Sequence, residues 1–308
     1  MNARLPRAAA RILEDSTLCY LVVRTARGPH LTPVVYALDG GRVWLTTSRN
    51  SVKARALRRD RDVAGLVRAG DVAIAFRGRA RTYDALDPLS WPFAAVAGPR
   101  LVRAATRFGV KNARFFAGYA VDARRVPLAW MPPGRVFIGI ELSSGALLDL
   151  AEGAVTDTWG QGETSPVRIA YRRSYSALPA RRALDLGVPR SVRSALGAAG
   201  DGALGFGYGE PTVVPVRWRR VAREGAYEVV LPRAFLEIAG GLAPGHVARD
   251  PPAWAALTVD HLASWRASEM VGQLLQGPAE TFCLPVTSRG SRALRGRLEA
   301  VLAGSGRT

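Results

Sequence analysis

The chain has 308 residues, 48% of them hydrophobic and 22% charged, enough to bury a full core and, at roughly 100–200 residues per domain, to form two domains. It contains no apolar run of the roughly 18 residues a membrane span needs, and the N-terminal MNARLPRAAARILED lacks the apolar stretch of a secretion signal. The reading is a soluble, cytoplasmic protein with no membrane partner. Cys19 and Cys283 stand far apart, outside any CxxC or Cys/His spacing, which argues against a zinc site and a disulfide framework and points to buried free thiols.

The formal charge of +18 would ordinarily suggest a nucleic-acid partner, because basic side chains neutralise phosphates. All 43 basic residues except Lys53 and Lys111 are arginine, however, in a chain also rich in Ala and Gly, and this looks like a GC-rich coding bias. The arginines are scattered and do not form dense blocks, so the expectation is no nucleic acid and a general attraction for anionic small molecules.

In chain order, apolar positions at Leu5, Ala8, Ala9, Ile12 and Leu13 predict a helix over 3–14, ended by Asp15-Ser16. LCYLVVRT, LTPVVYALD and RVWLTTS, joined by the turns ARGPH and GG, predict a three-stranded antiparallel meander. RNSVKARALRRDRD then places Val52, Ala56 and Leu57 on one face of a short amphipathic helix, with Asn50 or Ser51 able to cap it. DVAGLVRAG and DVAIAFRGRARTYDA predict two more strands. A helical insertion around Leu101–Tyr119, bounded by Pro88, Pro92, Pro99 and Pro132-Pro133, precedes a closing strand, Arg135–Leu142.

The stretch 150–200, rich in Gly, Ser, Pro and Arg, reads as a connector with helical text near Ala180–Leu186 and Ser191–Ala198. Beyond it the opening order returns in weakened form, through ALGFGYGEPTVVPVRW, AYEVVLP, AWAALTVDH and EMVGQLLQGPAETF. Aligning TPVVY with VPVRW pairs Pro33 with Pro215, and aligning FRGRARTY with LQGPAETF pairs Gly78 with Gly277 and Thr82 with Thr281. The expected architecture is mostly β (α+β). It has a barrel domain over 1–149, a connector over 150–200, and a degenerate second half over 201–308.

The segment with the strongest chemical pattern is TTSRNSVKARALRRD. It joins a strand end bearing Thr46, Thr47 and Ser48 to a turn with Arg49 and Ser51 and a helix start followed by Lys53. A phosphate group needs charge-assisted donors and favours the positive end of a helix, and both occur here within a few residues. A solvated helix face after a hairpin would carry the same text.

This order of elements resembles the flavin- and deazaflavin-binding split-barrel superfamily that contains pyridoxamine 5′-phosphate oxidase. The likeness is carried by Gly28, Pro33 and Val34 on the second strand, the hydroxyl-rich third strand, and Lys53, Leu57, Arg58, Arg59 and Asp60 on the helix, and it covers roughly residues 3–85. It implies a coenzyme phosphate held by Thr46, Thr47, Ser48, Arg49, Ser51 and Lys53, and a ring against the strand at Thr32, Pro33, Val34 and Val35. The second half has Pro232 where Ser48 would stand and no Lys at the Lys53 position, so it implies a partner that completes one site. The chain would then be a monomeric pseudo-dimer, with a homodimer also open.

The implied function is oxidoreduction of a small molecule with FMN, or with the deazaflavin coenzyme F-420. Haem binding or degradation, a non-catalytic coenzyme carrier and a basic nucleic-acid-binding protein are the alternatives. His30, beside the ring strand, is the one candidate catalytic residue. His30, His246 and His261 share no ligand spacing, so no metal site is expected. The Trp91–Tyr119 insertion could roof the ring or simply pack on the barrel.

Overall fold

Strands β1 (Leu18–Thr25) and β3 (Arg42–Ser48) fall where alternation puts them, after helix α1 (Arg7–Asp15); β2 (Gly28–Asp39) starts three residues earlier than expected, because Gly28, Pro29 and His30, read as turn, pair with Thr25, Arg24 and Val23. The computed structural model describes residues 5–26, 28–113, 134–160, 167–171, 197–207, 210–221, 226–240, 242–244, 254–261, 266–273, 275–276 and 281–285. Gly28 opens β2 at φ 105°, in the region that favours glycine. Helix α2 (Val52–Arg59) and strands β4 (Asp62–Ala69) and β5 (Val72–Tyr83) follow as expected.

Strand β6 (Arg135–Asp149) is longer than expected, because its ladder with β5 crosses Ser143–Gly145 with a bulge at Ser143 and resumes beyond it. It pairs with β5 on one side and, from Arg135 to Glu141, with the whole of β3 on the other. That second pairing closes β3-β2-β1-β4-β5-β6 into a six-stranded barrel, to which β7 (Ala154–Trp159) adds an outer strand.

Strand β1 is buried on both faces, which is why its sequence is a continuous apolar run. Cys19, Leu21 and Val23 enter the barrel core with Tyr36, Leu45, Ile74 and Ile138, and α1 and α2 add Leu13 and Leu57 to it. Burial pushes the Cys19 thiol far up, as expected of an inert buried cysteine. Tyr20 and Val22 point the other way, into a second core shared with the C-terminal half through Leu204, Phe206, Val214 and Leu257.

Helix α3 (Trp91–Lys111) starts earlier than expected. It follows a 3₁₀ turn over Pro88–Ser90 and carries Pro99 inside it, where the sequence suggested a boundary. Pro92 lies in the first turn, where a missing N–H costs nothing. The part of the expected insertion beyond Ala113 lies outside the described residues. The helix packs on the outside of the barrel through Ala104 and Phe108, over Val35, Ala37, Trp44 and Phe137. Asp39, buried on β2, pairs with Arg103 at 3.0 Å and Arg107 at 3.5 Å. At the helix end Lys111 donates to the carbonyls of Leu13 (3.2 Å) and Ser16 (2.6 Å). Burial and then Arg107 push its pKa down to about 8.

Within the stretch 150–200, β7 joins the first sheet and β8 (Val167–Tyr171) joins the second; the helical text read at Ala180–Leu186 and over 191–196 lies outside the described residues. The second sheet contains β9 (Ala199–Phe206), β10 (Thr212–Val221), β11 (Ala226–Val230), β12 (Leu242–Pro244), β13 (Trp254–His261), β14 (Arg266–Gln273), β15 (Leu275–Gln276) and β16 (Thr281–Pro285), with helix α4 (Arg233–Ile238) after β11.

The pairings repeat those of the first barrel: β9 sits between β10 and β13 as β1 sits between β2 and β4, and β11 pairs with β10 and β16 as β3 pairs with β2 and β6. Tyr20 lies opposite Pro33 and Leu66, and Ala203 opposite Pro215 and Thr258, so the alignment of Pro33 with Pro215 holds in the register. The alignment of Gly78 with Gly277 does not. Gly78 faces Val63 and Gly272 faces Ala255, which makes Gly272 the counterpart, and Thr281 lies on β16, the counterpart of β6. A chance match of Gly and Thr spacing across a strand break misled the sequence alignment.

The two halves meet closely. Thr258 donates to the Leu31 carbonyl at 2.9 Å, and Arg77, largely buried on β5, donates to Thr212 Oγ1 (2.7 Å) and the Ile238 carbonyl (2.9 Å). A Cβ on Gly205 would lie 2.9 Å from Val22 Cγ2 and 3.3 Å from Leu31 Cδ2. Gly205→Val is therefore expected to lower stability by about 1–3 kcal/mol through overpacking of this shared core. Urea unfolding followed by tryptophan fluorescence measures it.

Candidate functional site

Ser48 ends β3, and the Ser51 N–H bonds its carbonyl at 3.0 Å, turning the chain into α2. Ser51 caps that helix by accepting from the Ala54 N–H at 3.1 Å, and the Thr47 hydroxyl donates to the same oxygen at 3.1 Å. No acidic residue stands in the first turn of α2, so the positive end of the helix is not offset from within it. Lys53, one residue inside, donates to Thr32 Oγ1 at 2.7 Å. This bond ties the expected phosphate segment to the strand expected to meet the ring.

Arg49 and Arg58 converge on one carboxylate. Asp84, at the end of β5 with its side chain 2% exposed, accepts from Arg49 Nε (2.8 Å) and Nη2 (2.6 Å), from Arg58 Nη2 (2.9 Å) and from the Leu86 N–H (3.1 Å). Burial alone would raise the pKa of Asp84, but the bonds from Arg49, Leu86 and Arg58 bring it below the usual carboxylate value. The same Asp84 bond raises the pKa of Arg49. Arg49, expected as a direct phosphate ligand, is thus a guanidinium anchored to protein beside the turn.

Thr46 donates to the Val136 carbonyl at 3.1 Å and accepts from Arg135 Nε at 3.2 Å, because β6 places Arg135 opposite Ser48. Thr47 is buried, whereas Ser48, Ser51 and Lys53 are half-exposed. Along β2, Thr32 faces Lys53. Pro33 is half-exposed, Val34 enters the barrel core, and Val35 is covered together with Phe108. Of the four expected ring contacts, only Thr32 and Pro33 keep side chains with access to solvent. His30 lies opposite Val23, half-buried, two residues before Thr32 on the same strand face. His246 lies outside the described residues.

Asp84 and Arg135 were not singled out by the sequence reading. Neither has a local signature, since one reaches the turn from the end of β5 and the other through barrel closure. In the second half, the register that places Tyr36 with Leu45 also places Trp218 with Val229, so Val230, Leu231 and Pro232 stand where Thr46, Thr47 and Ser48 do. Pro232 caps α4 without a side-chain bond, and Ala234 stands second in that helix as Lys53 does in α2.

A closed six-stranded barrel whose hydroxyl-rich β3 leads into a capped basic helix defines the class of fold, a split β-barrel. Residues 6–104, about a third of the chain, match the family model described as pyridoxamine 5′-phosphate oxidase. Among solved structures, a conserved hypothetical protein from Mycobacterium tuberculosis is 25% identical, covering 48% of this chain and 88% of that one with a TM-score of 0.35. A protein titled F420 reductase is 18% identical, covering 46% and 98%, TM-score 0.32. A pyridoxamine 5′-phosphate oxidase-related, FMN-binding protein from Nostoc punctiforme is 13% identical, covering 46% and 78%, TM-score 0.31. No curated protein matches the chain.

The lowered pKa of Asp84 fixes the sign of its contribution to stability. That contribution is full above the ordinary carboxylate value of 3.8 and is lost as pH falls through the lower folded-state value. Asp84→Asn is expected to cost about 2 kcal/mol at neutral pH, in the range of charge-assisted hydrogen bonds. It should also flatten the acid limb of a plot of urea midpoint against pH.

Proposed function

We propose that the chain is an oxidoreductase that binds a flavin-type coenzyme, FMN first and F-420 second, and acts on a small molecule. The observation that carries this reading is the Lys53–Thr32 bond of 2.7 Å, which unites the anion-binding corner and the ring strand in one site, within the segment that matches the oxidase family. The donor set fits a phosphate: Ser48 and Ser51 hydroxyls, the capped start of α2, Lys53, and two arginines whose positions Asp84 fixes. When bound, such a coenzyme supplies the hydride or electron transfer.

This chain's residues supply binding, orientation and exclusion of water. Thr46, Thr47, Ser48, Ser51 and Lys53 hold the phosphate end, with Arg49 contributing charge from its place on Asp84. The β2 backbone at Thr32–Val35, with the side chains of Thr32 and Pro33, receives the ring. The C-terminal half acts as a degenerate partner in a pseudo-dimer, a reading supported by the repeated strand order and by the bonds from Thr258 and Arg77 across the join.

Titration of the purified protein with FMN, coenzyme F-420 and haemin, followed by absorbance and fluorescence, tests the reading. Saturable binding of FMN or F-420 is expected, and Lys53→Ala and Ser48→Ala should each weaken it by about 1.5–3 kcal/mol. An affinity unchanged in the double variant would refute the site, and a Soret band with haemin alone would replace the coenzyme.

A further inference from the structure

Helix α3 turns its buried side to the barrel, yet its outward side is also apolar. Val96 is 89% exposed, Val102 68% and Val110 74%, and before them come Leu89 at 81%, Trp91 at 56% and Phe93 at 43%. These positions run the length of a helix that spans about 30 Å at 1.5 Å per residue. Exposed valines and leucines scattered singly need no explanation, but an apolar strip of this length on one element does.

The charge beside the strip is mostly basic, with Arg103 paired to Asp39 and Arg107 to Asp39 and Glu14. Helix α3 carries Arg100, Arg103, Arg107 and Lys111 and no acidic residue. Arg81 lies with its guanidinium 4.6 Å from the centroid of the Phe93 ring, which makes the strip continuous with a recess of about 180 Å³ lined by Arg42, Arg61, Arg79 and Arg81. Glu141 pairs with Arg42 at 3.0 Å and Asp62 with Arg79 at 3.6 Å. Arg61 and Arg81 make no ion pair among the described residues.

From this we infer that α3 and the arginine recess form a docking surface for an anionic lipid bilayer. The apolar strip would lie at the headgroup boundary, with lipid phosphates drawn to the recess and the helix arginines. Trp91, Val96, Val102 and Val110 on the outward side, with Arg100, Arg103 and Arg107 along one edge, make the combination that holds a helix in the plane of such an interface. No spanning segment is needed; among the described residues no helix is long and apolar enough to cross. A second copy of the chain fits the surface less well. A two-fold contact places the same patch against itself and would bring two sets of Arg61, Arg81 and Arg100 together, in chains of charge +18 each.

The test is sedimentation of the full chain with vesicles of phosphatidylcholine alone and of phosphatidylcholine mixed with phosphatidylglycerol. Binding is expected to the mixed vesicles only, and Val96→Asp with Val102→Asp should weaken it about tenfold or more by putting charge on the apolar strip. Both side chains are exposed, so the far-ultraviolet circular dichroism of the variant should match that of the parent. Equal binding to neutral vesicles, or binding that the double variant leaves unchanged, would overturn the inference. So would sedimentation equilibrium that finds a dimer which the variant splits.

Discussion

The ladder between β3 and β6 is the constraint on which the rest of the molecule depends. Strand β3 pairs with β2 only over Tyr36–Asp39, and without β6 it would be a short hairpin arm with an open edge. Pairing along Arg42–Ser48 closes the barrel and holds the end of β3 in place. It also brings Arg135 opposite Ser48. Because β3 leaves β2 at Tyr36, the Gly28–Val35 stretch of β2 is available to the second half, and Thr258 bonds the Leu31 carbonyl there. One closure therefore fixes the corner from β3 into α2 and the face on which the halves meet.

The second half uses the same strand order for a different end. Where the first barrel presents hydroxyls and a capped helix, the counterpart presents Val230, Leu231 and Pro232, and Leu231, Phe235 and Leu236 go into the shared core. A proline at the cap offers neither a side-chain acceptor nor an N–H, so this corner lacks the capping bonds that Ser51 makes. What the second half loses as a site it gains as packing. Its apolar corner is part of the core that Tyr20 and Val22 of β1 enter from the other side.

Much of this was legible in the chain. β1, β3 and α2 lie at or within a residue of where alternation, turn glycines and the Ser cap put them, because for these elements local preference and tertiary packing agree. The readings that missed did so where tertiary structure overrides local text. Pro99 is tolerated inside α3, β6 continues past Ser143–Gly145 because β5 stays paired with it across a bulge, and the Gly78 alignment slipped where only pairing could count residues. The site divides in the same way. The hydroxyls and Lys53 are contiguous and were visible; Asp84 and Arg135 reach the turn from other strands.

The Asp84 cluster explains how a chain so rich in arginine distinguishes a site from a surface. A solvated arginine must give up side-chain freedom to meet a ligand, a cost on the order of 1–2 kcal/mol for long side chains. Arg49 and Arg58 have already lost that freedom to a buried carboxylate, and Lys53 has lost it to Thr32. The carboxylate cancels part of their charge, so the corner is selected by geometry more than by net charge. In the proposed coenzyme site, scattered arginines elsewhere would give the long-range attraction and the three anchored cations the place where the phosphate is held.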